Sequence, residues 1–596
     1  MKRYLNYICG ILGIAGVVIT SSCNHILDVK PLNQITSASI WQDSSLMEAT
    51  INDIYRGMGL GEFNSTSGLS VVGDEAMWTN GATAIIQSTI TSSNLDILGG
   101  SRFNYLVWGT LYANIRQCNI FLQESAKSPL ADAPSVQRMR GEAYFLRAYY
   151  YQNLMEVCGG IPLITKVYSL HDSTDVARNS FEETVNFIVN NADSAAALLP
   201  LVYPDAGLGR ATKGAALALK SHVLLLAASD LYNINPSHMP ETGYMSASAS
   251  ERQARWTAAR DAAQAVIDLG VYKLYDADPA PGDSVAENYA NIFLTQTNPE
   301  IIFNRLVSVN NSAPAVGTWF NPNGYHGYGE NSPIQQMVDA YEMRDGTKFN
   351  WSNPLEAAHP YENRDPRFYA TIFYDGAHWK KRYPDGQVYD PVGIIQAFTK
   401  LILPDGSTLP GIDTRQGPIE NWNGSYPNYY LRKFLDINND HLSVNQQIPW
   451  PYFRYAEILL NYAEACIELG QDQDARGALN QIRKRVDMPE FPASLTGNDL
   501  MTECRNERRV ELAFEDKRFF DVRRWMIAPE VMNEDAKGIE ITVHGTNRAD
   551  RSTYHDYSYK VIDVQKRHWD DKMYFLPIPF AETQRNPLLV QNPGYQ

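Results

Sequence analysis

Apolar residues recur at three- and four-residue intervals through several long segments of the chain. In "RGEAYFLRAYYYQNLMEVCGG" the residues Ala143, Leu146, Tyr150, Leu154 and Val157 fall on one face of a helix, and Gly159 with Gly160 supplies its stop. "FEETVNFIVNNADSAAALLP" reads as its partner helix. "GRATKGAALALKSHVLLLAAS" is apolar almost all round, which predicts a buried helix capped by Thr212. "WTAARDAAQAVIDLG" follows as its mate, with Ala259, Ala263, Val266 and Ile267 on one face. The clearest pair spans residues 452–486. Ala456, Leu460, Ala463 and Ile467 make one stripe, Gly470 turns the chain, and Ala475, Leu479, Ile482 and Val486 make the facing stripe. Small alanines let two helices approach closely, and the length is near the roughly 34 residues of a tetratricopeptide unit. The pattern predicts a mainly α scaffold of tetratricopeptide-like helix pairs.

Between about residues 310 and 450 the helical period gives way to Pro, Gly, Asn and aromatic residues, as in "GTWFNPNGYHGYGENSP" and "NWNGSYPNYY". Irregular stretches beyond about 15 residues are uncommon unless they serve a function, so this region is the expected working surface. Its chemistry suits sugars. Pyranose rings pack their C–H faces on flat aromatics, and their hydroxyls need amide or charged partners at the rim. Two stretches fit: "GDEAMWTNGATA", with Trp78 beside Asp74 and Asn80, and "GTWFNPNGYHGYGEN", with Trp319, Tyr325 and Tyr328 among asparagines. The chain holds 35 tyrosines and 11 tryptophans, an excess that must line either a core or a binding surface.

The amino terminus adds a different signal. Lys2 and Arg3 precede an apolar block over residues 8–19, long enough for a signal peptide and short of the about 20 residues that span a bilayer. Cys23 follows small residues, the place a signal peptidase cuts before a lipid-modified cysteine. The expected organisation is a lipoprotein signal peptide at 1–22, a lipidated tether at 23–40 and a single body at 41–596, with Cys23 acylated by palmitate-type chains. The net charge of -16 argues against nucleic acid as a partner. Cys118, Cys158, Cys466 and Cys504 stand singly without metal-ligand spacing and read as small buried thiols.

Other motifs have plainer readings. In "RNERRVELAFEDKRFFDVRRW" acids nearly balance bases, and the spacing predicts the ion pairs Arg508–Glu511, Lys517–Asp521 and Asp521–Arg524 within a structural segment. "DINNDH" opens like a calcium loop, but His441 stands where glycine is needed and Gln447 where the closing glutamate is needed. "GMGLGEF" imitates a dinucleotide turn yet follows a helical pattern rather than a strand. His222 lies within a buried helix pattern and reads as a core histidine. No HExxH, GxSxG or GxxxxGK[ST] pattern occurs, so no catalytic residue, metal or cofactor is expected.

With these segments assembled, the chain resembles SusD/RagB-type outer-membrane lipoproteins of the Bacteroidetes. The resemblance runs in order through "GEAYFLRAYYYQNLMEVCGGIPLI", "GRATKGAALALKSHVLLLAAS", "YENRDPRFYATIFYDG", "RYAEILLNYAEACIELG", "RNERRVELAFEDKRFFDVRRW" and "LPIPFAETQRNPLLVQNPGY". It implies a helical body with a loop-built ligand face, lipid-anchored at the cell surface. It further implies that the protein binds oligosaccharide, delivers it to a SusC-like TonB-dependent transporter and covers that barrel as a lid. The RagB branch implies peptide binding as the alternative. A glycoside hydrolase would instead need two facing carboxylates at about 5 to 10 Å.

Overall fold

The computed structural model describes residues 37–64, 68–81, 83–95, 106–169, 171–204, 207–233, 248–276, 284–307 and 315–595. Cys23, the signal segment and nearly all of the expected tether lie outside the described residues. Seven helices form the scaffold: α1 (Trp108–Ser125), α2 (Pro134–Cys158), α3 (Phe181–Leu198), α4 (Lys213–Ala228), α5 (Ala249–Ile267), α6 (Tyr455–Glu468) and α7 (Asp472–Arg485). Each packs on the next in that order, so the scaffold is a continuous stack of tetratricopeptide-like helix pairs.

Local chemistry sets the helix ends. Thr212 Oγ1 accepts from the Ala215 N–H at 3.1 Å, the cap its position predicts. Ser180 and Glu183 form a reciprocal capping box at the start of α3. Gly470 turns α6 into α7 with φ +72°, a left-handed conformation that glycine adopts without steric cost. Ala456 and Ala463 on α6 are fully buried in a cluster with Ala475, Leu479 and Ile482 of α7, and Ala259 on α5 is buried against Ala465 of α6. One boundary departs from the helical reading. Trp450–Arg454 is a strand paired antiparallel with Ile301–Arg305, and α6 starts only where the Tyr455 N–H reaches the Glu300 carbonyl at 2.8 Å. Pairing with Ile301–Arg305 holds the backbone of residues 450–454 extended, so the helix cannot begin earlier.

Strands appear where the apolar period shortens to two. Ala536–His544 and His555–Gln565 form a hairpin, extended by Lys400–Ile402 and Thr408–Leu409 into a four-stranded sheet. Ile539, Ile541 and Val543 all face the core. The ion pairs of the basic segment are mostly long-range. Arg508 of α8 (Gly497–Glu511) pairs with Asp521 of α9 (Arg518–Arg524) at 2.8 Å, Lys517 just before α9 pairs with Glu457 at 3.0 Å, and Arg524 pairs with Asp521 at 2.7 Å. Asp521–Arg524 forms as the spacing predicts. Arg508 and Lys517 choose other partners, because both turn inward, away from the helix surface on which i,i+3 and i,i+4 pairs form. Glu511 meets Arg367, Arg454 and Arg485 at 2.9, 2.6 and 2.5 Å in the dry centre of the molecule. Cys118, Cys158, Cys466 and Cys504 are buried free thiols. His222 is wedged between Glu156 at 2.5 Å and Glu457 at 3.0 Å.

Candidate functional site

A short antiparallel pairing, Ala76 with Pro333 and Met77 with Ser332, joins the two stretches singled out in the sequence. Thr79 Oγ1 donates to the Gly329 carbonyl at 2.8 Å, and Asn80 Nδ2 donates to Glu330 Oε1 at 3.4 Å. Within the second stretch the Tyr328 N–H reaches the Thr318 carbonyl at 2.7 Å, and the Glu330 N–H reaches the Trp319 carbonyl at 2.9 Å. Asn80, Trp319 and Tyr328 therefore share one neighbourhood. Asn80 is exposed, Tyr328 is 42% exposed, and Trp78 and Trp319 are half-buried.

Two of the expected ligand residues, Asp74 and Tyr325, turn inward in this structure. Asp74 is buried, bonded through both oxygens to Arg518 at 2.8 Å and paired with Arg509 at 3.1 Å. Burial alone would raise its pKa, but the two guanidiniums hold the carboxylate well below its usual range. Tyr325 is fully buried; its hydroxyl donates to the Lys380 carbonyl at 2.7 Å, and the Arg382 guanidinium lies 4.0 Å from its ring centroid. Both side chains pin loops to the body and are closed to a ligand.

A third loop brings the residues that sequence reading missed. Residues 411–426 run alongside the Tyr328 loop, and the Asn423 carbonyl comes so close to Gly329 that a Cβ there would lie 2.7 Å from it. Trp422 stands 67% exposed on this loop, and Tyr426 is 38% exposed beneath the Arg415 guanidinium, 3.9 Å from its ring centroid. Arg415 also donates to the Trp422 carbonyl at 3.3 Å and the Gly424 carbonyl at 3.0 Å, so one cation braces both aromatics. A tryptophan among asparagines in a Pro- and Gly-rich stretch is the same signal that marked Trp319.

The charged rim is internally engaged. His326, at φ +60°, links Glu420 at 2.9 Å and Asp385 at 3.2 Å. Burial works against its charge, but the hydrogen bonds to Glu420 and Asp385 raise its pKa above the ordinary imidazole value. The Asp440 carboxylate of "DINNDH" accepts from the Tyr383 hydroxyl at 2.6 Å, and His441 is buried against Tyr325. A cavity of about 640 Å³ lies elsewhere, between α1 and the helix Phe580–Arg585. Its ring Trp108 is almost wholly buried and the Tyr112 hydroxyl is engaged by the Pro162 carbonyl, so it offers a poorer stacking platform.

A stacked scaffold of helix pairs carrying a loop-built face places the protein in the helical-repeat class. Comparison with known proteins gives the family. The SusD family model matches residues 299–595, and a SusD-like model described as starch-binding associating with outer membrane matches residues 26–225. The chain belongs to the SusD/RagB family. It is 24% identical over 557 residues to SusD-like protein P38 of Formosa agariphila, covering 89% of this chain and 94% of that protein. A SusD-like protein of Bacteroides fragilis shares 28% identity and superposes with a TM-score of 0.72 over 95% of this chain and 100% of its own. A SusD-like carbohydrate binding protein of the same organism shares 24% identity with a TM-score of 0.70, over 93% of this chain and 100% of its own.

Proposed function

We propose that this protein is a glycan-binding lipoprotein of the outer membrane, anchored through Cys23, that captures oligosaccharide on the face formed by Trp422, Tyr328 and Tyr426. Asn80, Trp78 and Trp319 border that face. The observation that carries the reading is the convergence of three loops, distant in sequence, on one surface that leaves Trp422 exposed with an arginine bracing its loop. A flat exposed ring with a second aromatic and amides beside it offers the stacking surface and hydrogen-bonding rim that a sugar face needs. Glu420 and Asp385 are both bonded to His326, which favours binding over hydrolysis as their role. Captured glycan passes to a SusC-like TonB-dependent transporter, over which the protein closes as a lid on its short tether. Glycan that binds the closed state more tightly than the open one is sufficient to drive closure. A glycan array probed with the soluble body tests the binding reading. Saturable binding to one oligosaccharide class is expected, whereas a blank array with binding to a peptide panel would replace this reading with peptide capture.

A further inference from the structure

His326 sits where two loops of the proposed glycan face meet a further loop over residues 380–390. Its own loop carries Tyr328 and Gly329. Nδ1 faces Glu420 Oε1 at 2.9 Å, on the loop that carries Trp422, and Nε2 faces Asp385 Oδ1 at 3.2 Å, on the loop over residues 380–390. Glu420 is the residue that opens the 3₁₀ turn Asn421–Asn423, which holds Trp422 at its centre. The Glu420 carbonyl accepts the Asn423 N–H at 2.9 Å, and its second carboxylate oxygen faces Asn423 Nδ2 at 3.4 Å. Glu420 and His326 both hold left-handed backbone, at φ +39° and +60°. Such conformations are costly for non-glycine residues and persist only where surrounding contacts hold them. The imidazole is the bridge between those two residues.

An imidazole can donate to two carboxylates only when it carries two N–H groups, which is its charged form. The neutral ring has one N–H and one lone pair, so one of the two carboxylates would then face a lone pair instead of a donor. We propose that protonated His326 is a positioning residue which, through Glu420, holds the turn bearing Trp422 in the shape that receives ligand, and that loss of its proton loosens that turn. This rests on the reading of Trp422 as the glycan platform and adds its regulation by pH.

The charges around the ring agree with this assignment. Besides Glu420 and Asp385, the ring faces Tyr383, with centroids 5.6 Å apart, and beyond it His441. Burial presses the His441 pKa down to about 4, helped by Lys380, so this second imidazole is neutral where His326 changes state. Arg382 is engaged by Asp390 at 2.7 Å and Asp413 at 2.6 Å, Arg415 is turned to Tyr426, Asp440 to Tyr383, and Glu330 to Asn80. Glu420 and Asp385 are thus the acids left to charge the ring, and both raise its pKa. The sign follows. The clamp is complete below the ordinary histidine value of 6.5 and is lost as pH rises through the higher folded value.

The test is made without ligand, so its outcome is independent of whether the protein binds glycan. Protein carrying fluorinated tryptophan is titrated from about pH 5 to about pH 9, and the Trp422 resonance is assigned by its disappearance in Trp422→Phe. The ring protons of His326, assigned by His326→Gln, are followed in the same samples. The proposal expects the Trp422 resonance to shift with the His326 midpoint in the wild type. In His326→Gln and in Glu420→Gln it should rest near its high-pH position throughout, with the other tryptophan resonances unchanged as evidence of an intact fold. Should either variant fail to fold, the other carries the same test. A Trp422 resonance that ignores the His326 titration, or one that titrates unchanged in a folded variant, would overturn the proposal.

Discussion

Asp74 accepts from Arg518 through both carboxylate oxygens in a buried site. Removing one member of a buried pair strands the other, at a cost of about 3–5 kcal/mol. Asp74→Asn is therefore expected to lower stability by that order in urea unfolding. Its effect on stability should also depend on pH in a definite direction. The Asp74 pKa is depressed on folding, so its stabilisation is full above the unfolded value of 3.8 and disappears as pH falls through the lower folded value. Acid unfolding of Asp74→Asn should show a shallower pH dependence than wild type, and identical curves would contradict this role. Its neighbour Glu75 works in the opposite sense: burial pushes its pKa up to about 8, so it weakens the fold as pH rises. The stretch "GDEAMWTNGATA" shows that Asp74, Trp78 and Asn80 lie close together in sequence. Which of its side chains turns inward depends on Arg509 and Arg518, supplied by helices more than four hundred positions away. Tyr325 and Tyr328 divide for the same reason, because Arg382 claims one ring and leaves the other at the surface.

The helices are the elements that sequence reading recovers best, since each carries its own period, cap and stop. Thr212, Gly470 and the alanine stripes act within a few residues of themselves, and their roles are local enough to read. Ion pairs of the basic segment are harder, because spacing along one helix cannot reveal a partner on another. Glu511 is the instructive case: Arg508 lies at helical spacing from it, yet Arg367, Arg454 and Arg485 surround it. These arginines tie α7 and α8 to Pro366–Thr371 and to the strand that precedes α6. Glu511→Ala should leave three buried guanidiniums short of a partner and destabilise the scaffold by about 3–5 kcal/mol or more. Thr212→Ala, which removes one cap, should cost only about 1 kcal/mol. Urea midpoints of the two variants, measured side by side, check that order, and equal losses would contradict it.

At the scale of the whole molecule, the helix stack is a rigid frame and the loop face is assembled from segments far apart in the chain. The stack could be read from periodicity. The face could be located as a region, but Trp422 and Tyr426 joined it only through long-range contacts such as that of Asn423 with Gly329. The proposed lid acts at this scale too. Cys23→Ala should abolish incorporation of a clickable fatty acid and release the protein from membranes, and equal labelling of the two forms would refute the anchor. The wild-type protein should copurify from detergent with a SusC-like barrel. Imaging that complex should show more closed lids when glycan is added, whereas isolation only as a free monomer would remove the lid mechanism. The central claim is ligand capture on the exposed ring of Trp422, and calorimetric titration of the soluble body with its best array oligosaccharide tests it most directly. Trp422→Ala is predicted to weaken binding by about 1–3 kcal/mol while leaving the melting temperature unchanged. Full wild-type affinity in a folded Trp422→Ala protein would contradict the account.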